Sequence, residues 1–125
     1  MSEAQMREVL AQLTSLLDDI EALLFVVESA PVLSGPSKEG AREMLRRLKD
    51  RIRGEHRRTS TVKGRASLNL VERHFYASAV QEAHADLRIR VDSQPGAAWV
   101  DDLLSARLGV ETYARQLRDA LAASG

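Results

Sequence analysis

The chain has 125 residues, no cysteine and a formal net charge of zero, from 18 basic and 18 acidic side chains. That length suits one compact domain able to bury a core without metals or cross-links. The missing thiols exclude disulfides, thiolate chemistry and cysteine-ligated zinc, and an overall neutral chain is unlike most nucleic-acid binders.

Five aromatic residues stand against seventeen leucines, so the core is expected to be leucine, valine, isoleucine and alanine, a composition that suits helices packed on helices. The opening residues, MSEAQMREVL, lack the basic-then-apolar order of a signal peptide. The longest apolar run, Ala22 to Val27, is too short to cross a bilayer. A cytoplasmic protein with no membrane partner is expected.

In the first segment Met6, Val9, Leu10, Leu13, Leu16, Leu17, Ile20, Leu23, Leu24 and Val27 recur at helical spacing and predict a helix over 3–29. Ser2 and Gln5 have capping-box spacing. Phe25 and Val26 fall outside the apolar face, with Phe25 close in angle to Asp18 and Glu21. An off-face aromatic needs a second surface over it, either the loop residues Pro31, Val32 and Leu33 or another chain. Phe25, Val26 and Leu33 are therefore a candidate partner-binding corner.

APVLSGPS breaks the pattern. A second helix is expected over 38–56, capped by Ser37, with Ala41, Leu45, Leu48 and Ile52 as its apolar stripe and Gly54 as the point of fraying. Residues 57–67 show no periodicity and predict a mobile basic loop.

Charge changes sharply along these segments. Residues 1–37 carry a net −5, residues 38–65 a net +7 and the remainder −2. Arg42, Arg46, Lys49, Arg53 and Arg57 recur every three or four residues, forming a stripe beside the apolar one. With Arg58, Lys63 and Arg65 they make a candidate surface for a polyanion or an acidic partner, because such binding neutralises several charges at once. Two features weigh against it. Glu39, Glu43 and Asp50 can pair within the helix, and a tight connection to the acidic first helix would set Asp18 level with Lys49 and Glu21 with Arg46. No aromatic residue for base stacking lies within 38–65.

A third helix is expected over 69–89, capped by Asn69 with Glu72 three residues on. Its buried side would be Val71, Phe75, Tyr76, Ala79, Val80, Ala83 and Leu87. LRIRV (87–91) alternates apolar and basic residues and can leave the helix as an extended piece, and DSQPG is a turn. A last helix over 97–122 uses Trp99, Leu103, Ala106, Val110, Tyr113, Leu117 and Leu121. The whole predicts an all-α chain, an antiparallel four-helix bundle or a close variant.

No motif for a nucleophile, a phosphate-cradling loop or a dinucleotide fold occurs. His56, His74 and His84 lack the Glu-x-x-His pairing of bundle metal sites, so no metal or cofactor is expected. Asp18–Asp19 and Asp101–Asp102 are adjacent in sequence, which points their side chains ~100° apart and leaves neither pair a proton-sharing dyad. Arg51 and His56 have Arg-x4-His spacing, which resembles the catalytic pattern of HEPN ribonucleases, small helical enzymes that cut RNA without metal. The resemblance implies metal-independent RNA cleavage by that pair. It departs at Ile52, where that family shows a polar residue, and in the ~140° that separates positions five apart on a regular helix.

The residues thus favour a non-enzymatic helical binding or regulatory module acting on another protein or on a second copy of itself. The alternative is a nucleic-acid-binding regulator using residues 42–65, and a HEPN-like ribonuclease is more distant. No small-molecule substrate is evident.

Overall fold

The computed structural model describes residues 2–29 and 34–124, and it is all-helical. Five helices pack together: α1 (Glu3–Ser29), α2 (Gly35–Ser60), α3 (Val62–Ala66), α4 (Ala77–Asp86) and α5 (Ala97–Ser124). A π-helical turn, Glu72–Tyr76, leads into α4. One flank of α2 meets α1 and the other meets α4, while α5 packs on both α1 and α4. The core between them is one contiguous cluster whose largest fully buried side chains are Trp99 and Tyr76.

The first helix follows its pattern. Met6, Val9, Leu13, Leu16, Ile20, Leu23, Leu24 and Val27 are buried, and Leu10 and Leu17 lie half-buried against them. The Ser2 hydroxyl accepts the Gln5 backbone N–H at 3.4 Å, one half of a capping box.

The second helix is longer than its pattern suggested at both ends. It begins at Gly35, not after Ser37, with Gly35 at φ +57° turning the chain in and Pro36 in the first turn. There the proline's fixed φ suits the helix and its missing N–H loses nothing. The helix also runs through Gly54 to Ser60. A single glycine costs a helix only ~1 kcal/mol relative to alanine, and the buried stripe continues past it from Ile52 to Thr59. The Thr59 hydroxyl stays satisfied by donating to the Glu55 carbonyl at 2.9 Å.

Helix therefore occupies most of the 57–67 segment read above as a loop. Thr61 ends α2 and caps α3, its hydroxyl accepting the Gly64 N–H at 3.0 Å. The chain closes so tightly here that a Cβ on Gly64 would lie 1.9 Å from the Arg58 carbonyl oxygen. Five residues are too few to display a periodicity, which is why α3 leaves no trace in the apolar pattern.

The Asn69 cap is present. Its side-chain oxygen accepts the Glu72 N–H at 2.9 Å, and its amide donates to the Glu72 carboxylate at 3.2 Å. The π turn that follows, marked by the Ala77 N–H reaching back to the Glu72 carbonyl, reconciles two buried residues. Val71 and Tyr76 are 0% and 1% exposed, yet a spacing of five would set them ~140° apart on an α-helix. A wider turn brings both to the core.

The third helical stretch ends at Asp86, Leu87 turns the chain out of it at φ −86° and ψ 76°, and through Arg90 burial alternates as along an extended segment, with Leu87 and Ile89 buried and Arg88 and Arg90 exposed. Among the described residues no strand pairs with this piece; the Leu87 and Arg88 N–H groups reach back to the Ala83 and Asp86 carbonyls, both at 3.0 Å, and side chains supply further partners. One oxygen of Asp102, early in α5, accepts the N–H groups of Arg88 and Ile89, both at 2.9 Å. From the other side Lys49 donates to the Ile89 carbonyl at 2.6 Å. Arg42 donates to the carbonyls of Asp92 and Ser93 at 3.1 and 3.3 Å. The buried Trp99 indole N–H donates to the Ser93 hydroxyl at 2.8 Å. Among the described residues no helix is long and apolar enough to cross a membrane.

Candidate binding surfaces

The basic residues of 42–65 divide into three groups by what they touch. Arg42 and Lys49 hold the extended segment, as described, and Arg42 also pairs with Glu39 at 2.9 Å. Arg46 pairs with Glu43, and Arg53 reaches Asp50 at 3.4 Å, both within α2. Arg58 bonds Glu55 at 2.7 Å, reaches Glu72 at 3.4 Å and lies 5.7 Å from the centre of the Tyr76 ring. Its pKa is raised above the ordinary arginine value, first by the hydrogen bond to Glu55. Tyr76 in turn donates its hydroxyl to Glu55 at 2.9 Å, and burial is the main reason its pKa is pushed up. Arg57, Lys63 and Arg65 are exposed and form no ion pair among the described residues.

The expected pairing of this stripe with α1 differs in the structure. The cross-helix ion pair is Arg51 with Asp19, supported by Arg51 donating to the Ser15 carbonyl at 3.2 Å and hydroxyl at 3.1 Å. Lys49 does not meet Asp18, nor Arg46 Glu21. The cause is rotational: Arg51 sits on the opposite side of the apolar stripe from Arg42, Lys49 and Arg53, and only its side faces α1. Arg51 and His56 are likewise separated, the first held to α1 and the second turned to α4.

Phe25 is 72% exposed at the C-terminal end of α1, beside the half-buried Val26. Leu33 and the other loop residues proposed to cover it lie outside the described residues. Val62, Leu70 and Leu108 are also exposed apolar side chains, and none of them belongs to an apolar stripe of the sequence.

One cluster went unnoticed in the sequence. The imidazoles of His56 on α2 and His84 on α4 stack in parallel, with ring centres 4.2 Å apart and planes 4° from coplanar. A groove beside them is lined by Lys49, Ile52, Arg53, His84, Leu87 and Arg88. Only the register of α2 against α4 brings these residues together, and nothing in either helix alone announces it. The pKa of His84 is lowered, first by desolvation and then by His56, Arg53 and Lys49. His74 is exposed. Among the described residues no three histidine or carboxylate side chains converge as metal ligands.

Comparison with protein-family models, with curated proteins and with solved structures finds no match for this chain.

Proposed function

We propose that this protein is a non-enzymatic helical binding module that acts by contact with another protein chain, in the first instance a second copy of itself. The observation that carries the reading is Phe25, which leaves 72% of its surface to solvent at the end of an otherwise regularly packed helix. Aromatic residues, phenylalanine among them, are enriched at protein interfaces relative to the rest of the surface. The surroundings of Phe25 on α1 are acidic: Asp18, Glu21 and Glu28 are exposed and make no ion pair among the described residues. The chain carries the matching charges, since Arg57, Lys63 and Arg65 are also exposed. Charge complementarity between an acidic corner and a basic end is what a second copy supplies.

We read the setting as cytoplasmic, in keeping with the absence of cysteine. We read the architecture as an antiparallel four-helix arrangement with α3 appended. Cross-helix partners support it for α2 and the stretch that contains α4, because Arg58 with Glu72 and Lys49 with Ile89 run in opposite chain order; the short span from Ser29 to Gly35 between α1 and α2 suits the same sense.

Sedimentation equilibrium over a range of concentrations tests the function. The wild type is expected to associate, and Phe25→Asp to return it to monomer at the same concentration. A wild type that stays monomeric throughout, or a Phe25→Asp dimer, removes the corner as a self-association surface.

A second reading rests on the same three cations, Arg57, Lys63 and Arg65, as a short nucleic-acid contact. It predicts affinity for single-stranded RNA or DNA that falls steeply with salt. Arg42, Arg46 and Arg58 are paired with neighbouring carboxylates, and no aromatic side chain for base stacking lies within 38–65, which is why this reading stands second.

A further inference from the structure

The groove between α2 and α4 combines features that the sequence did not bring together. Three permanent cations line it, Lys49 and Arg53 from α2 and Arg88 from the extended segment. His84 lines it from α4, with His56 stacked on its face. No carboxylate is among the lining residues, and Ile52 and Leu87 form an apolar floor. Two of the cations are anchored by backbone carbonyls, which leaves most of their donors free. Lys49 bonds the Ile89 carbonyl, and the Arg88 Nε bonds the Ala85 carbonyl at 2.8 Å. The Arg53 contact to Asp50 is long, 3.4 Å, and mostly solvent-exposed, so it competes weakly for the guanidinium.

We propose that this groove binds a small phosphomonoester, its phosphate held by Arg53 and Arg88 beside Lys49, with His84 as a further donor when protonated. The cavity of ≈ 320 Å³ lies at the small end of ligand pockets. It admits a phosphate with a small organic group against Ile52 and Leu87. Three fixed cations exceed what a single carboxylate neutralises, whereas a phosphate dianion answers more of that charge, and arginine's planar fork matches its oxygens.

The histidine stack argues against a metal. Ligation needs ring nitrogens converging in the ring plane, whereas these rings meet face to face, beside three cations that would repel a metal ion. The stack also sets a proton linkage. Two imidazoliums at 4.2 Å repel each other, and Lys49 and Arg53 from α2 and Arg88 from the extended segment add to that repulsion. An anion in the groove relieves it. Anion binding and His84 protonation therefore favour each other reciprocally, and affinity rises as pH falls.

The test is titration of the full chain with phenyl phosphate and with sulfate, followed by the ring resonances of His56 and His84 and by calorimetry. Sulfate stays a dianion between pH 6.0 and 7.5, which isolates the protein's titration from the ligand's. Saturable binding of both anions is expected, and for sulfate it is tighter at pH 6.0 than at pH 7.5, whereas phenyl phosphate loses dianion near pH ~6 and so offsets the gain. Arg53→Gln/Arg88→Gln is expected to weaken it by about tenfold or more, the usual cost of lost charged hydrogen bonds. His84→Gln should remove the pH dependence for sulfate. Both arginines are exposed, and Arg88→Gln alone serves if the double variant unfolds. Absence of saturable shifts overturns the proposal, as does binding indifferent to Arg53 and Arg88. Displacement of phenyl phosphate by oligothymidylate, with affinity growing with its length, would assign the groove to a nucleic-acid backbone and overturn the small ligand. The site is independent of the Phe25 corner, so either can fail alone.

Discussion

Asp102 satisfies two backbone donors with one oxygen, a role that its place beside Asp101 in the sequence does not suggest. The amides of Arg88 and Ile89 have no strand to pair with, and Ile89 is 9% exposed. Asp102→Ala takes away the acceptor of the Ile89 amide and leaves the Arg88 N–H with only the Asp86 carbonyl at 3.0 Å, and should destabilise the fold by about 1–3 kcal/mol. Asp102→Asn keeps an acceptor oxygen and should recover most of that loss; urea unfolding of the two variants makes the comparison. His84 makes the second prediction at this scale. Its pKa in the folded state is lowered, so between that value and the ordinary ~6.5 the unfolded chain binds more protons. Its contribution is fully present above ~6.5 and is lost as pH falls below it. The urea midpoint should therefore drop between pH 7.5 and 5.5 by more in the wild type than in His84→Gln. Equal drops would show that the stack has no part in acid sensitivity.

At the scale of elements, α2 shows how much a pattern can say. Ala41, Leu45, Leu48 and Ile52 identified the buried face correctly, and Gly54 was the misleading residue. A Cβ there would meet nothing within 4 Å, so Gly54→Ala should raise stability by about 1 kcal/mol through helix propensity alone. Thermal unfolding reads this directly as a higher midpoint. The α1 face, the Asn69 cap and the extended alternation of LRIRV were all legible, because each is a local relation among neighbours in sequence. Which helix lies on which flank of α2 was not. Amphipathicity states which way a helix faces and leaves unnamed the neighbour it faces. Two consequences followed: the Asp18–Lys49 register in place of Asp19–Arg51, and the unnoticed approach of His56 to His84.

For the molecule as a whole, the neutral total conceals an uneven distribution that the fold partly redistributes. The +7 of residues 38–65 is answered less by the acidic first helix than by carbonyls of the extended segment and carboxylates of α2 itself. What remains exposed is smaller and divided: an acidic, aromatic corner on α1, and the cations Arg57, Lys63 and Arg65 around the middle of the chain. The groove holding Lys49, Arg53 and Arg88 is a third feature, distinct because no acid lines it. Added salt should therefore weaken self-association through the corner only modestly if Phe25 dominates it, and strongly if the charge match does.

The π turn at Glu72–Tyr76 also bears on how the gene can change length. Elsewhere in a helix, loss of one codon swings the preceding turns by ~100° about the axis and turns a buried face away from its partners. Here the wide turn already holds one residue more than an α-helical turn needs. Deleting the exposed Arg73 or His74 would leave Val71 and Tyr76 four apart, ~40° on a regular α-helix, so both stay on the core side. The turn is the place where the chain can lose a residue and keep its core.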